Sequence, residues 1–224
     1  MAKEWREWSG KFMSKRITIL VDNDSWILPY AEKLNNALCD LGYSSCIVRD
    51  HDLVKEGWVN FMLGCVNITP TYVLNRNKHN LVVHESALPQ GKGFAPMTWQ
   101  ILEGKTQIPI CLIEACEKVD AGNIWITDFI ALDGTELSDE WRKKQGEKTL
   151  QICLRFVNEY EGLTSLAQSG EATFYKRRSQ NDSELDVNKS IKDQFNLLRV
   201  VDNDRYPGYF YINDQKYILK IEKA

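Results

Sequence analysis

Short apolar runs separated by polar clusters organise the chain, and the spacing of apolar positions alternates between strand-like and helix-like. Residues 16–21 (RITILV) form a β-branched run that predicts a strand. Asp22, Asn23, Asp24 and Ser25 follow as a loop able to supply a helix N-cap. Ile27, Tyr30 or Ala31, Leu34, Leu38 and Leu41 then share one helical face, and Gly42 stands where a helix-ending glycine belongs. A second run at 45–49 completes strand, helix, strand, which requires a parallel crossover unit. The alternation continues with a strand over 58–66 hydrophobic enough for burial on both faces, and a short helix over 70–75 with Pro70 near its start. After a strand at 81–83 comes a Pro/Gly-rich loop over 87–96, then a helix over 97–102 closed by Gly104. Strands at 108–115 and 124–131 precede a long helix over 137–160, whose apolar side carries Leu137, Trp141, Leu150, Leu154 and Val157. The fold class is α/β, with a mostly parallel sheet flanked by helices.

Composition shifts over 161–171, rich in Gly, Ser and Gln, and a boundary is placed there. Three segments result: an amphipathic cap over 1–15 carrying Trp5, Trp8 and Phe12, a main domain over 16–165, and an α+β appendage over 166–224. The appendage holds a basic stretch at 175–183, a helix over 187–200, and a hairpin of 209–212 and 216–221 around Asn213-Asp214. A unit of about 55 residues is marginal alone and should dock on the main domain. Its apolar hairpin has two candidate partners, the body of its own chain or a second copy in a homodimer.

The 224 residues carry 28 Lys+Arg against 31 Asp+Glu, a net charge of −3, with 43% hydrophobic residues. That excludes disorder over most of the chain and a nucleic-acid grip resting on bulk charge. No apolar run approaches the roughly 20 residues that cross a bilayer, and the polar start lacks a signal-peptide core. The reading is a cytoplasmic protein without a membrane or nucleic-acid partner. The cysteines (39, 46, 65, 111, 116 and 153) form no Cys-x-x-Cys pair and stand apart from the histidines, so they read as buried reduced thiols and no metal is expected.

Ligands of open α/β sheets bind beyond the carboxyl ends of strands, which selects the loops 22–25, 66–70, 84–96 and 114–123. His84 directly follows Leu81-Val82-Val83 and opens the stiff loop, so it is the leading candidate for proton chemistry. The plain alternative is a satisfied histidine at a strand edge. Asp120 lies between two predicted strands, where a turn aspartate is common. His51 and His79 stand in polar contexts and read as solvated loop residues.

His84-x-Ser86-x-Leu88-Pro89, then Gly93-x-x-Pro96, then Asp120-Ala121-Gly122 resembles the formyltransferase family that uses 10-formyltetrahydrofolate. The likeness spans 16–160 and includes the His84–Asp120 spacing. In the tail, Tyr175-Lys176-Arg177-Arg178-Ser179, Asp182-Ser183, Arg199 and Tyr206-Pro207-Gly208-Tyr209-Phe210 look like the C-terminal region of sugar-nucleotide formyltransferases. Val83-His84-Glu85-Ser86 with Gly91-Lys92-Gly93 looks closest to formyltransferases of the pseudaminic-acid pathway. One position departs: the family carries Asn two residues before its His, and here it is Val82. Asn80 shares that strand face but lies about 7 Å further back.

The resemblance implies a Rossmann-like formyltransferase domain and formyl transfer from 10-formyltetrahydrofolate to the primary amine of a nucleotide-linked amino sugar, such as a UDP-4-amino-4,6-dideoxy sugar. It implies that His84 manages protons, that Asp120 orients it, and that Asn67 could reach in as a donor to the oxyanion. It places the folate against Phe94, Met97, Ile113, Glu114, Ala115, Cys116, Val119 and Asp120. It places the acceptor near Ser86, Lys92, Gly93, Lys176, Arg177 and Arg178; for those last three a solvated basic patch is the alternative. Two other functions stay open: hydrolysis of the formylated folate, and a binding protein that lost its chemistry with the Asn-to-Val change.

Overall fold

A computed structural model describes residues 15–224; the cap carrying Trp5, Trp8 and Phe12 lies outside the described residues. In chain order the elements are β1 (Arg16–Leu20), α1 (Leu28–Asp40), β2 (Ser44–Val48), β3 (Gly57–Met62), α2 (Thr71–Leu74), β4 (Asn77–His84), β5 (Lys92–Gly93), α3 (Pro96–Leu102), β6 (Gln107–Glu114), β7 (Ile124–Ala131), α4 (Ser138–Glu159), β8 (Phe174–Tyr175), α5 (Phe195–Val200), β9 (Gly208–Ile212) and β10 (Gln215–Leu219).

A six-stranded sheet in the order β2-β1-β3-β4-β6-β7 forms the centre, a Rossmann-like α/β architecture. β1 to β4 are parallel, and β6 reverses against both β4 and β7. Alternation along each strand sends side chains to opposite faces. Ile17, Ile19, Val59, Phe61, Leu81 and Leu112 face α1 and α4, and that layer extends to α3 through Met97, Ile101, Ile108 and Ile110. Leu20, Met62, Val73 and Val82 face the other way, beside Leu88, Cys111 and Ile113. His84, two residues after Val82, therefore ends β4 on the face opposite α4.

Helix α1 buries Ala31, Leu34 and Leu38, and Gly42 (φ 86°) ends it in the left-handed region, as the spacing predicts. Its N-cap is Ile27 without a side-chain bond, not one of the polar residues before it. Strand β3 stops at Met62, because Gly64 (φ 60°) breaks the extended run. Strand β4 starts at Asn77 rather than Leu81, which corrects the reading of His79. That ring is buried, with Nδ1 3.1 Å from Glu114 Oε2 and Nε2 2.8 Å from Tyr160 Oη. His51 is half-buried, its Nε2 3.1 Å from Thr69 Oγ1. All six thiols are free, but only Cys111 and Cys153 are buried and Cys65 partly so; Cys39, Cys46 and Cys116 are exposed.

After α4 the chain returns over the main sheet. Ile124 and Leu166 exchange backbone hydrogen bonds of 2.8 Å in both directions, and β8 pairs in parallel with β5. The predicted helix over 187–200 is α-helical only at α5, with a tighter turn at Lys192–Gln194 before it. The hairpin forms as β9 and β10, with Asn213 (φ 48°) and Asp214 (φ 61°) both left-handed in the turn.

Candidate active site

The strand end and the loop after β6 bring His84 and Asp120 together. Nδ1 of His84 lies 3.7 Å from Asp120 Oδ1, and their side chains are 6% and 11% exposed. His84 Nε2 is 2.8 Å from the Gly91 carbonyl oxygen. A carbonyl only accepts, so Nε2 carries the hydrogen and Nδ1 faces the carboxylate. Asp120 accepts a second contact, from Gly93 N at 2.9 Å through Oδ2. The Gly91-Lys92-Gly93 strand is thus stitched to both members of the pair on one edge. On its other edge Lys92 N donates to Thr173 O at 2.9 Å and Phe94 N to Tyr175 O at 3.2 Å.

Asp120 reaches His84 because its loop doubles back along the sheet. Asp120 itself is left-handed (φ 51°). Gly122 passes so close to β6 that a Cβ there would sit 1.7 Å from Glu114 O. Gln168 then pins the loop, its Nε2 donating to the carbonyls of Asp120 and Gly122, each at 2.9 Å. Gln168 was not singled out by the sequence, since its role rests on a contact 46 positions away.

The expected oxyanion donors do not converge on this pair. Asn67 Nδ2 donates to Asp22 Oδ2 at 2.9 Å, and the Asn67 N–H goes to the same oxygen. Asp22 also accepts from Val66 N and Asn23 Nδ2. Burial opposes its ionisation, but these hydrogen bonds hold its carboxyl below the usual range. Asn67 is therefore a loop fastener between the ends of β1 and β3, which corrects its placement beside His84. Asn80 donates to Leu74 O at 2.8 Å and accepts from Asn60, and Asn123 turns to Ser165. Val82 packs into apolar clusters on the His84 face.

The folate residues named from the resemblance divide. Met97 is 2% exposed and packs under α3 among Ile101, Ile108 and Ile110, on the face opposite His84, so it cannot stack on a ligand there. The Glu114 carboxylate also points to that far face, accepting from Asn80 N at 2.7 Å and Trp125 Nε1 at 2.9 Å. The Ile113 side chain is buried with Leu88 and Cys111. Ala115 N donates to Asn80 O at 2.7 Å. What remains open along the loop is Cys116 to Val119, all exposed, leading into Asp120.

The acceptor residues divide as well. Ser86 is 3% exposed and its hydroxyl has no hydrogen-bond partner among the described residues. It borders a cleft of about 290 Å³ with Gln90, Gln100, Gln107 and Thr173. Lys92 is buried and Gly93 half-buried in the latch with β8. Arg177 stays exposed, its guanidinium 5.5 Å from the centre of the exposed Phe94 ring. Lys176 instead pairs with Asp182 at 2.7 Å, and Arg178 donates to Asp182 O at 2.8 Å and Val200 O at 3.3 Å. The half-buried Arg178 is thus taken up inside the tail, which corrects its reading as a phosphate grip, whereas the Lys176 side chain stays exposed. Arg199 is likewise internal, bonded to Glu136.

No family model matches the chain. Among curated proteins, methionyl-tRNA formyltransferase of Mycoplasma capricolum is 28% identical over 178 residues, covering 77% of this chain and 56% of that protein. The chain thus spans about half the length of the curated relatives it matches. Among solved structures, methionyl-tRNA formyltransferase from Clostridium thermocellum superposes with a TM-score of 0.79 at 19% identity, covering 94% of this chain and 93% of that one. A sugar N-formyltransferase from a Shewanella species gives 0.68 at 14% identity, covering 94% and 98%. HypX from Aquifex aeolicus in complex with tetrahydrofolic acid gives 0.77 at 16% identity, covering 92% of this chain and 37% of that one. The fold is that of the formyltransferases, and the sequence likeness is to the same family.

Proposed function

We propose that the protein transfers a formyl group from a 10-formylated folate to the primary amine of a nucleotide-linked amino sugar, a UDP-4-amino-4,6-dideoxy sugar of pseudaminic-acid type being our choice within that class. The observation that carries this reading is the convergence of His84 and Asp120, two nearly buried groups 3.7 Å apart at the end of β4. The sugar N-formyltransferase and the tetrahydrofolate-bound HypX among the similar folds support acceptor and donor.

The amine attacks the formyl carbon as a neutral base and a tetrahedral oxyanion forms. With Val82 where an Asn would stand, the His84 Nε2–H, now on Gly91 O, is the side-chain donor available to that oxyanion. Proton movement from the attacking amine toward the departing folate nitrogen passes through the same ring, which Asp120 holds in orientation from across Nδ1. The backbone of Cys116 to Val119, left exposed beside Asp120, fits the edge of a flat heterocycle, over an apolar floor that includes Val82, Cys65 and Ala115. Arg177 beside Phe94 suits the phosphates of the acceptor. We place this chemistry in a catalytic unit over 16–165 of a cytoplasmic protein. The appendage over 166–224 would close the site, and the exposed Tyr211, Ile212, Tyr217 and Ile218 favour a homodimer through it. A second reading, formylation of a charged tRNA, is favoured by the methionyl-tRNA formyltransferase relatives.

The test supplies 10-formyltetrahydrofolate with UDP- and dTDP-linked amino sugars or with charged initiator tRNA, and follows tetrahydrofolate release. Sugar-dependent release, lowered at least about 100-fold in His84→Gln, is expected. Release only with tRNA would transfer the reading to that acceptor, release without any acceptor would make the protein a hydrolase, and no release would overturn transfer altogether.

A further inference from the structure

Glu85 stands between His84 and Ser86, and the transfer chemistry above gives it no role. His84 and Glu85 project to opposite faces of the strand end. On the Glu85 side, Gln145 of α4 donates from Nε2 to Glu85 Oε1 at 2.7 Å. Gln100 of α3 donates to the Glu85 backbone carbonyl. Two helices thus hold one residue by its side chain and its main chain, directly behind the catalytic histidine. Gln145 is itself buried, and its own Oε1 has no partner among the described residues. No cation pairs with Glu85 among the described residues, which is costly for an ionised carboxylate in such a place. A neutral isostere would fill the position without that cost.

We propose that Glu85 is a positioning residue of the transfer reaction: clamped by Gln145 behind the strand end, it sets, together with Asp120, the charge state of the His84 ring. The titratable groups around it are His84 at its own strand end, Asp120 on the loop after β6, and Cys111 on β6; α3 and α4 present amides. Burial pushes the Glu85 carboxyl above its ordinary range, against the pull of His84 and the Gln145 hydrogen bond, while Asp120 adds to the rise. Cys111 is removed from the same pH window, since burial first and the Glu85 charge second push its thiol up to about 12. The two groups are coupled through their charges across the strand, so Glu85 ionises most readily when the His84 ring is cationic.

This inference deepens the formyl-transfer reading and rests on it, but its first readout needs no substrate. The ring ¹⁵N resonances of His84, assigned with His84→Gln, are followed against pH in the wild type and in Glu85→Gln. The wild type should show two inflections, separated by about one pH unit or more, and Glu85→Gln a single one. In Gln145→Met, a second substitution that keeps the carboxyl, the Glu85 inflection should move to higher pH. In the transfer assay, kcat of Glu85→Gln should fall on the order of tenfold with KM held within about twofold. One inflection at the same midpoint in both proteins would overturn the proposal. So would a second inflection that survives in Glu85→Gln, which would assign it to Asp120. If the wild type transfers no formyl group while Glu85→Gln removes the second inflection, the coupling stands and the function assigned to it fails.

Discussion

Gly122 shows how much of this site is decided by single residues. An added methyl there would overlap Glu114 O at 1.7 Å and its carbonyl carbon at 2.7 Å, both backbone atoms that cannot swing aside. Gly122→Ala should therefore lift the loop and draw Asp120 away from His84. We expect a loss of about 1–3 kcal/mol in unfolding free energy by denaturant titration, and a larger fractional loss in kcat than a rise in KM. His84 was legible from its place after an apolar run, and the motif around it pointed to Asp120. Glu85 was not legible, because its meaning comes from Gln145, 60 positions away. Asn67 was misplaced for the same kind of reason: it lies at the right end of the right strand, but Asp22 captures its amide.

Elements were easier to read than contacts, and the errors have local causes. The first half of β4 is hidden from the hydrophobic pattern because Asn77, Lys78, His79 and Asn80 carry no apolar signal, although three of the four are buried. His79 is held by Glu114 of β6 and by Tyr160 just after α4, and Asn80 by the Leu74 carbonyl at the end of α2, contacts that no periodicity reveals. The spacing over 187–200 predicts more helix than forms, because its first half has hydrophobic residues at helical spacing but no body to pack against; Val187 and Ile191 are exposed. The hairpin was legible because a two-residue turn demands left-handed residues, and Asn-Asp supplies tolerable ones. Asp214 (φ 61°) still bears the cost of that conformation for a residue with a Cβ. Asp214→Val, a β-branched substitution, should lower unfolding free energy by about 1–2 kcal/mol, while Asp214→Gly should leave it unchanged or raise it slightly. Thermal unfolding of the two variants against the wild type checks both signs.

At the scale of the whole molecule, one buried cluster joins α5 to α4 and the turn before it. Arg199 on α5 is 2% exposed; its Nη2 lies 3.1 Å from Glu136 Oε2, and its Nε donates to Glu136 O. Trp141 of α4 donates to Arg199 O at 2.9 Å. Glu136 also accepts from Asp133 N, Gly134 N and Lys144 Nζ. Burial opposes ionisation here, but the Lys144 and backbone hydrogen bonds hold the carboxyl down at about 2, below the usual 4.5. A carboxylate depressed in the folded state contributes stability that is present above the unfolded value and lost as pH falls through the folded one. The turn that leads into α4, on which Arg199 rests, should therefore be firm at neutral pH and lose that stability between about pH 4.5 and 2. Arg199→Met should cost about 1.5–3 kcal/mol at pH 7, since Glu136 loses its α5 partner but keeps Lys144 and the Asp133 and Gly134 N–H groups. Replacing both partners, as Glu136→Leu with Arg199→Met, should not restore wild-type stability. The N–H groups of Asp133 and Gly134 and the Lys144 ammonium would lose their acceptor, so this pair differs from one that apolar residues can simply replace. Denaturant unfolding of wild type and double variant at pH 7 and pH 3 separates the cases. The two should differ more at pH 7 than at pH 3, and equal stability at pH 7 would show that the cluster does not hold α5 against α4.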